Sequence, residues 1–298
     1  MIARAVSSNI GSARGLEEER RRRKEVEEIE RMRRQFFEGV SHEFRTPLTL
    51  IMGPVDEAIN HPGTPEELKN ELAVSHRNCL RLLKMVTTLL DFSRIEAGRL
   101  QAHYRSVNLP TLFRDLCGVF RSAIQKAGLT FEVSVPESTF HKYYVDVDLI
   151  EKVTYNLLSN ALKCTVSGGI ALKMWEVGEG GGEEDAEGNE LVGGVVVEVR
   201  DTGVGISRKD LPRIFERFYR ASERGVVDEK RGESGEGKVV GKKFQRRSNE
   251  GTGIGLALTL ELVKLHGGKV WIAWSEVGKG TAFRVWIPYG KGHLDAKK

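Results

Sequence analysis

Long apolar runs are missing from this sequence. No stretch approaches the ~18 apolar residues a membrane helix needs, and the first residues form no apolar signal core, so the chain reads as cytoplasmic, or as the cytoplasmic part of something longer, with no membrane span. Cysteine is scarce. Cys79, Cys117 and Cys164 are odd in number and far apart, which argues against a disulfide framework and suits a reducing compartment. A dominant charge is also missing. The net charge of +4 is small and interspersed, which excludes a nucleic-acid argument from charge alone. Glycine, by contrast, is plentiful, with 33 residues gathered in clusters.

A chain of 298 residues has room for about two domains. Residues 1–34 read as a charged N-terminal coiled-coil linker. Glu17, Glu18 and Glu19 precede Arg21, Arg22 and Arg23 by four residues each, the favourable helix pairing. The basic run there is flanked by acids and reads as a solvated helix face. Residues 35–103 read as two long helices. In the first, Phe37, Val40, Phe44, Leu48, Ile51, Val55 and Ile59 form one apolar stripe. The turn cluster Asn60–Gly63 breaks it. Thr64 is then expected as N-cap, with Pro65 at the first helical position and Glu67 closing a capping box. The second helix is expected to bury Leu72, His76, Cys79, Leu83, Val86 and Leu90. His76 reads as a polar core residue that sets register. One hairpin cannot cover such stripes, so a homodimer forming a four-helix bundle is expected.

Residues 104–289 change character. Strands are expected at 130–135, 169–177, 194–201, 268–274 and 282–288, and helices near 110–127, 146–165, 208–219 and 254–266. This is an α+β or mixed α/β domain. The glycine- and acid-rich stretch 178–194 reads as a flexible hairpin insertion without catalytic value. Residues 222–250 read as a mobile lid, because they separate two glycine motifs. Residues 290–298 form a polar tail.

Two places carry chemistry. The stretch "FFEGVSHEFRTPLTLIMG" (36–53) has a histidine early in an amphipathic helix and a proline inside it. At ~100° per residue, His42 points roughly 140° and Thr46 roughly 180° from the apolar stripe, so both face solvent one turn apart. Neutral imidazole is a competent nucleophile near neutral pH. A carboxylate beside it, Glu43, can orient the ring and accept its proton. Pro47 has no N–H for the carbonyl of Glu43 and loosens the helix at that turn. The attacked group would be a phosphoryl donor. In "NLLSNALK", Asn156 and Asn160 share a helix face. Their carbonyls suit Mg²⁺ already carrying phosphate oxygens, and Lys163 beside them can offset phosphate charge. In "DTGVGIS", Asp201 ends a strand, and Gly203 and Gly205 let the backbone approach a flat ligand. "GTGIGLAL" (251–258) opens a helix whose amides can cradle phosphate. It has neither the P-loop nor the Rossmann spacing.

In this order the motifs resemble the transmitter core of a sensor histidine kinase, the type also found in hybrid kinases, over roughly residues 30–289. "SHEFRTPLT" is similar to the phosphoacceptor box, "NLLSNALK" to the N box, "DTGVGI" to the G1 box, "IFERFYR" to the F box and "GTGIGLAL" to the G2 box. The resemblance implies a multidomain fold: a helical-hairpin dimerisation domain, a four-helix bundle as the dimer, followed by an α/β sandwich of the gyrase/chaperone/histidine kinase type that binds ATP with Mg²⁺. It implies that His42 is phosphorylated by ATP and passes the phosphoryl group to an aspartate of a response-regulator receiver domain. Glu43 then assists the kinase step, and Thr46 positions water when the regulator is dephosphorylated. Asn156 and Asn160 serve the metal, Lys163 the phosphates and Asp201 the adenine amino group. Gly203, Gly205 and Ile206 of the G1 box, Phe215 and Phe218 of the F box, and Gly251, Thr252, Gly253, Gly255 and Leu256 of the G2 box complete the nucleotide site. Cys164 stands where the family often carries an aromatic ring on adenine. An upstream sensor module or partner is implied. The alternative is a dimeric nucleotide-binding scaffold without kinase activity.

Overall fold

A computed structural model describes residues 19, 21–23, 28, 32, 44, 46–96, 100–221, 253–292 and 294. The chain divides into two compact units, Met1–Gln101 and Ala102–Lys298. None of the helices among the described residues is long and apolar enough to cross a membrane.

The first unit is a helical hairpin. Helix α1 runs through residues 46–60, unbroken across Pro47, and α2 spans Glu66–Glu96. The turn is closed locally. Asn60 Nδ2 donates to the carbonyl of Asp56 at 2.9 Å, and the N–H of Gly63 donates to His61 Nδ1 at 3.0 Å. Thr64 departs from the expected N-cap role: its hydroxyl donates to the carbonyl of Ala58 at 2.7 Å. It thus satisfies an orphan carbonyl at the end of α1. Glu66 and Glu67 lie in the first turn of α2, where carboxylates oppose the positive helix end. His76 Nε2 lies 3.2 Å from Asp56 Oδ1, a polar contact across the hairpin. Burial is less complete than the stripe implies. Leu48, Leu90 and Phe92 are buried, while Leu72, Cys79, Leu83 and Val86 are only half-buried. Ile51, Leu50, Leu68, Val74, Leu80 and Leu82 are exposed in the single chain.

The second unit is built on a five-stranded sheet in the order β2-β4-β7-β9-β8. The strands are β2 Thr130–Ser134, β4 Gly169–Val177, β7 Gly194–Asp201, β8 Lys269–Glu276 and β9 Gly280–Pro288. Only the β2–β4 pair is parallel. Helices α3 Leu109–Lys126, α4 Val147–Cys164 and α5 Gly255–Leu265 pack on one face. Two short strands, β1 Arg105–Val107 and β3 Tyr143–Val145, pair antiparallel beside it. Period-two alternation does not reveal strands of three residues.

Side-chain alternation gives the two sheet faces opposite characters. On the helix side lie Leu172, Val199 and Val285. The register places all four tryptophans, Trp175, Trp271, Trp274 and Trp286, on the other side. Arg284 lies over the Trp175 ring and Arg200 over the Trp274 ring, at 5.2 and 5.1 Å from the centroids, in cation–π geometry. The acidic insertion covers part of this face as a two-stranded hairpin, β5 Glu183–Glu184 with β6 Glu190–Leu191. The expected hairpin is present, but it is anchored. Leu191 is buried against Val177, Val196 and Trp271, Asp185 pairs with Lys269 at 2.5 Å, and Arg284 bridges Glu183 and Glu198.

The expected helix at 208–219 is corrected. Only a 3₁₀ turn, Leu211–Arg213, forms there. Ile214 is buried, Phe215 meets Phe283 edge-on at 6.5 Å, and Phe218 has a φ of 60°. Each aromatic is fixed separately, and a left-handed residue cannot continue a helix.

Candidate functional site

The N-box segment, the strand after it and the glycine-rich helix start meet in the second unit. Asp146 caps α4, its side chain accepting from the N–H of Leu149. Three turns on, Asn156 Nδ2 donates to the carbonyl of Gly255, the first residue of α5, at 3.3 Å. That leaves the Asn156 carbonyl oxygen as a hard acceptor. Asn160 lies one turn further along α4, half-buried, as does Lys163 in its last turn.

Asp201 ends β7 and is buried. Its Oδ1 accepts the N–H of Gly203 at 2.8 Å. Burial pushes its carboxyl up to about 6, against the opposing pull of the N–H groups of Gly203 and Thr281. Each carboxylate oxygen accepts more than one donor, so a further donor can join those two N–H groups. The backbone here has no space for side chains. A Cβ on Gly203 would lie 2.3 Å from the carbonyl oxygen of Cys164, and one on Gly205, at φ +70°, would lie 2.1 Å from that of Glu276. The N–H of Val204 donates to the Cys164 carbonyl at 3.1 Å, and that of Ile206 to Ser275 Oγ at 2.9 Å, fixing the loop to α4 and β8. Gly205→Ala should therefore destabilise the second unit by at least the ~1–2 kcal/mol of a left-handed non-glycine residue. A denaturant midpoint equal to the wild type's would contradict this.

Phe218 and Gly253 are close in space, since a Cβ on Gly253 would lie 2.7 Å from the backbone carbon of Phe218. Phe218 is exposed, Phe215 half-buried, and Leu256 half-buried in the first turn of α5. Thr46 is exposed at the start of the described part of α1. His42, Glu43, Gly251 and Thr252 lie outside the described residues, as does the expected lid. The structure thus sets the loop after Asp201 against the C-terminal end of α4 and ties Gly255 to Asn156, about two turns earlier on the same helix. What the sequence reading missed is the direct tie from Asn156 to Gly255, which joins residues 99 positions apart. Among the described residues, no group of three His, Cys, Asp or Glu side chains could hold a metal ion.

Residues 145–291 match the family described as "Histidine kinase-, DNA gyrase B-, and HSP90-like ATPase", and residues 32–98 match the "His Kinase A (phospho-acceptor) domain". Hybrid signal transduction histidine kinase D of Dictyostelium discoideum is 33% identical over 263 residues, 88% of this chain and 15% of that protein. Sensor histidine kinase WalK of Bacillus subtilis is 29% identical over 272 residues, 91% of this chain and 39% of that protein. The chain thus spans well under half the length of these relatives. Among solved structures, full-length ShkA in complex with AMPPNP has a TM-score of 0.63 at 23% identity, covering 86% of this chain and 46% of that one. That likeness concerns the fold.

Proposed function

The chain belongs to the histidine kinase family, with a phospho-acceptor domain followed by an ATPase domain, and from that premise we propose that it is an ATP-dependent, autophosphorylating kinase whose His42 passes its phosphoryl group to a receiver-domain aspartate. The supporting observation is the junction of the N-box helix, the buried carboxyl of Asp201 and the α5 start through Asn156 and Gly255. ATP would be held by Asp201 at its adenine amino group, by Asn156 and Asn160 through Mg²⁺, by Lys163 at the phosphates and by the glycine-rich start of α5. It would supply the phosphoryl group. Gly203, Gly205, Ile206, Phe215, Phe218 and Leu256 would shape the pocket. The His42 imidazole would receive the phosphoryl group while Glu43 orients the ring and offsets its growing positive charge. Thr46 would position the water that hydrolyses the regulator's phosphoaspartate, releasing phosphate.

The bare apolar residues of the hairpin support a homodimer. Light scattering at micromolar concentration should give twice the chain mass, and a folded monomer would contradict it. The chemical proposal is tested with γ-labelled ATP and Mg²⁺. Label should appear on the wild type, be lost in acid and kept in base, and be absent from His42→Gln. Nucleotide binding without labelling would identify a scaffold instead.

A further inference from the structure

His266 lies at the C-cap of α5 and is completely buried. Its ring spans two helices. Nε2 accepts the N–H of Asp146, the α4 N-cap, at 3.1 Å. Nδ1 therefore carries the proton and donates to the carbonyl of Leu262 at 2.8 Å. Burial holds its pKa below the ordinary value, keeping this neutral form. A doubly protonated ring would set N–H against N–H at Asp146.

The same node grips the segment by which the chain leads into the second unit. Asp146 Oδ2 accepts the N–H of His103 at 2.7 Å. Tyr104 donates its hydroxyl to the carbonyl of Leu265 at 2.7 Å and sets its ring edge-on to His266, centroids 5.5 Å apart. Strand β1 follows at once and pairs with β3, which ends at Asp146's neighbour Val145. His103 is thus bound to the N-cap of α4 and Tyr104 to the C-terminal end of α5, while Arg105–Val107 pair with β3, which runs directly into the α4 N-cap.

Those two helices run antiparallel, and a second tie between them, among the described residues, is Asn156 to Gly255. The ties are ten residues apart along α4, about 15 Å at 1.5 Å per residue. Two separated ties fix both the distance and the angle between helices, whereas one leaves a pivot. A tilt of about 5° on that lever displaces the far end by about 1 Å, enough to cost a positioned site heavily.

We propose that His266 is a positioning residue that locks the lead-in segment His103–Val107 to α4 and α5, so that a pull on that segment alters the spacing of Asn156 and Gly255 at the nucleotide site. This rests on the proposed function only in taking that site to bind a nucleotide.

The test uses the full chain, AMPPNP with Mg²⁺ as probe, and amide exchange at Leu258, whose N–H closes the first turn of α5 on the carbonyl of Ile254. His266→Leu should weaken AMPPNP about 10-fold or more and speed exchange at Leu258, about 12 Å along α5 from the substitution. His266→Gln, which can keep an acceptor for Asp146, should stay within about 3-fold of wild type. Tyr104→Phe removes only one hydroxyl and should shift both readouts in the same direction, and it decides the matter if His266→Leu does not fold. Faster exchange confined to residues 103–107 and 146–150, with affinity and Leu258 unchanged, would overturn the proposal. Failure of the wild type to bind AMPPNP would count against the proposed function, and Leu258 exchange would still decide the lock.

Discussion

Asp201→Asn should abolish useful nucleotide binding and raise the melting temperature in the same protein. The buried carboxyl holds its proton up to about pH 6, while the unfolded chain releases it near 3.8. Between those values the native state binds the extra proton, so this group's contribution to stability falls as pH rises through that window and stays low above it. At pH 7 the loss is on the order of 2–3 kcal/mol. Asparagine cannot ionise and removes it. The amide has one acceptor oxygen, however, and in the proposed site it would have to serve the N–H groups of Gly203 and Thr281 as well as the adenine amino group. Either orientation leaves a donor facing a donor, and the resulting buried mismatch should cost about 10²-fold in affinity. Calorimetric titration beside a thermal melt measures both quantities. Wild-type affinity in this variant would remove Asp201 from the adenine site. The titration also predicts that wild-type affinity declines below about pH 6, since a bound donor favours the ionised carboxylate.

The second large effect concerns one turn of the first helix. Glu43→Gln should reduce autophosphorylation by about 10²-fold or more, the usual scale for a positioned acid–base group. In the proposed reaction the imidazole of His42 would gain positive charge as it took the phosphoryl group, and a carboxylate would offset that charge. Thr46 carries no charge and is exposed, so Thr46→Ala should retain most autophosphorylation. Its hydroxyl can hold a water against a docked phosphoaspartate, so the same variant should lose regulator dephosphorylation. Both assays on both variants with one regulator test the division. Equal loss of autophosphorylation in the two would reduce Thr46 to a shaping role around His42.

Strands with strong β-branched runs were legible to the residue. β4 and β7 occupy the expected 169–177 and 194–201, since Val195–Val197 and Val199 leave no competing pattern. The helices of the second unit lay within two residues of expectation for the same reason, and Asp146 and Asn108 act as side-chain N-caps. The F-box region failed instructively. Ile214 and Phe218 stand four apart, as on a helix, yet Phe218 is left-handed and exposed, and Tyr219 reaches back to Asp210 through its hydroxyl. Spacing alone does not distinguish one buried stripe from separate anchors. The acidic insertion misled by composition. Its glycines and carboxylates suggested freedom, but the core that buries its Leu191 and the partners Lys269 and Arg284 are supplied from the sheet strands. The Asn156–Gly255 and His266–Asp146 ties are likewise long-range and invisible to local pattern. The order of motifs, by contrast, was fully legible, because each box carries residue types its chemistry requires.

The one-sided arrangement of tryptophan gives the protein a built-in optical asymmetry. Every indole lies behind the sheet, three of them packed around Leu191 of the acidic hairpin, whereas Asp201 is on the helix side. Intrinsic indole emission is therefore a reporter of the rear face. Lifting the hairpin would expose Trp271 and Trp286 to water and redden the signal. An event confined to the helix side, however tight, would reach those fluorophores only by travelling through the sheet.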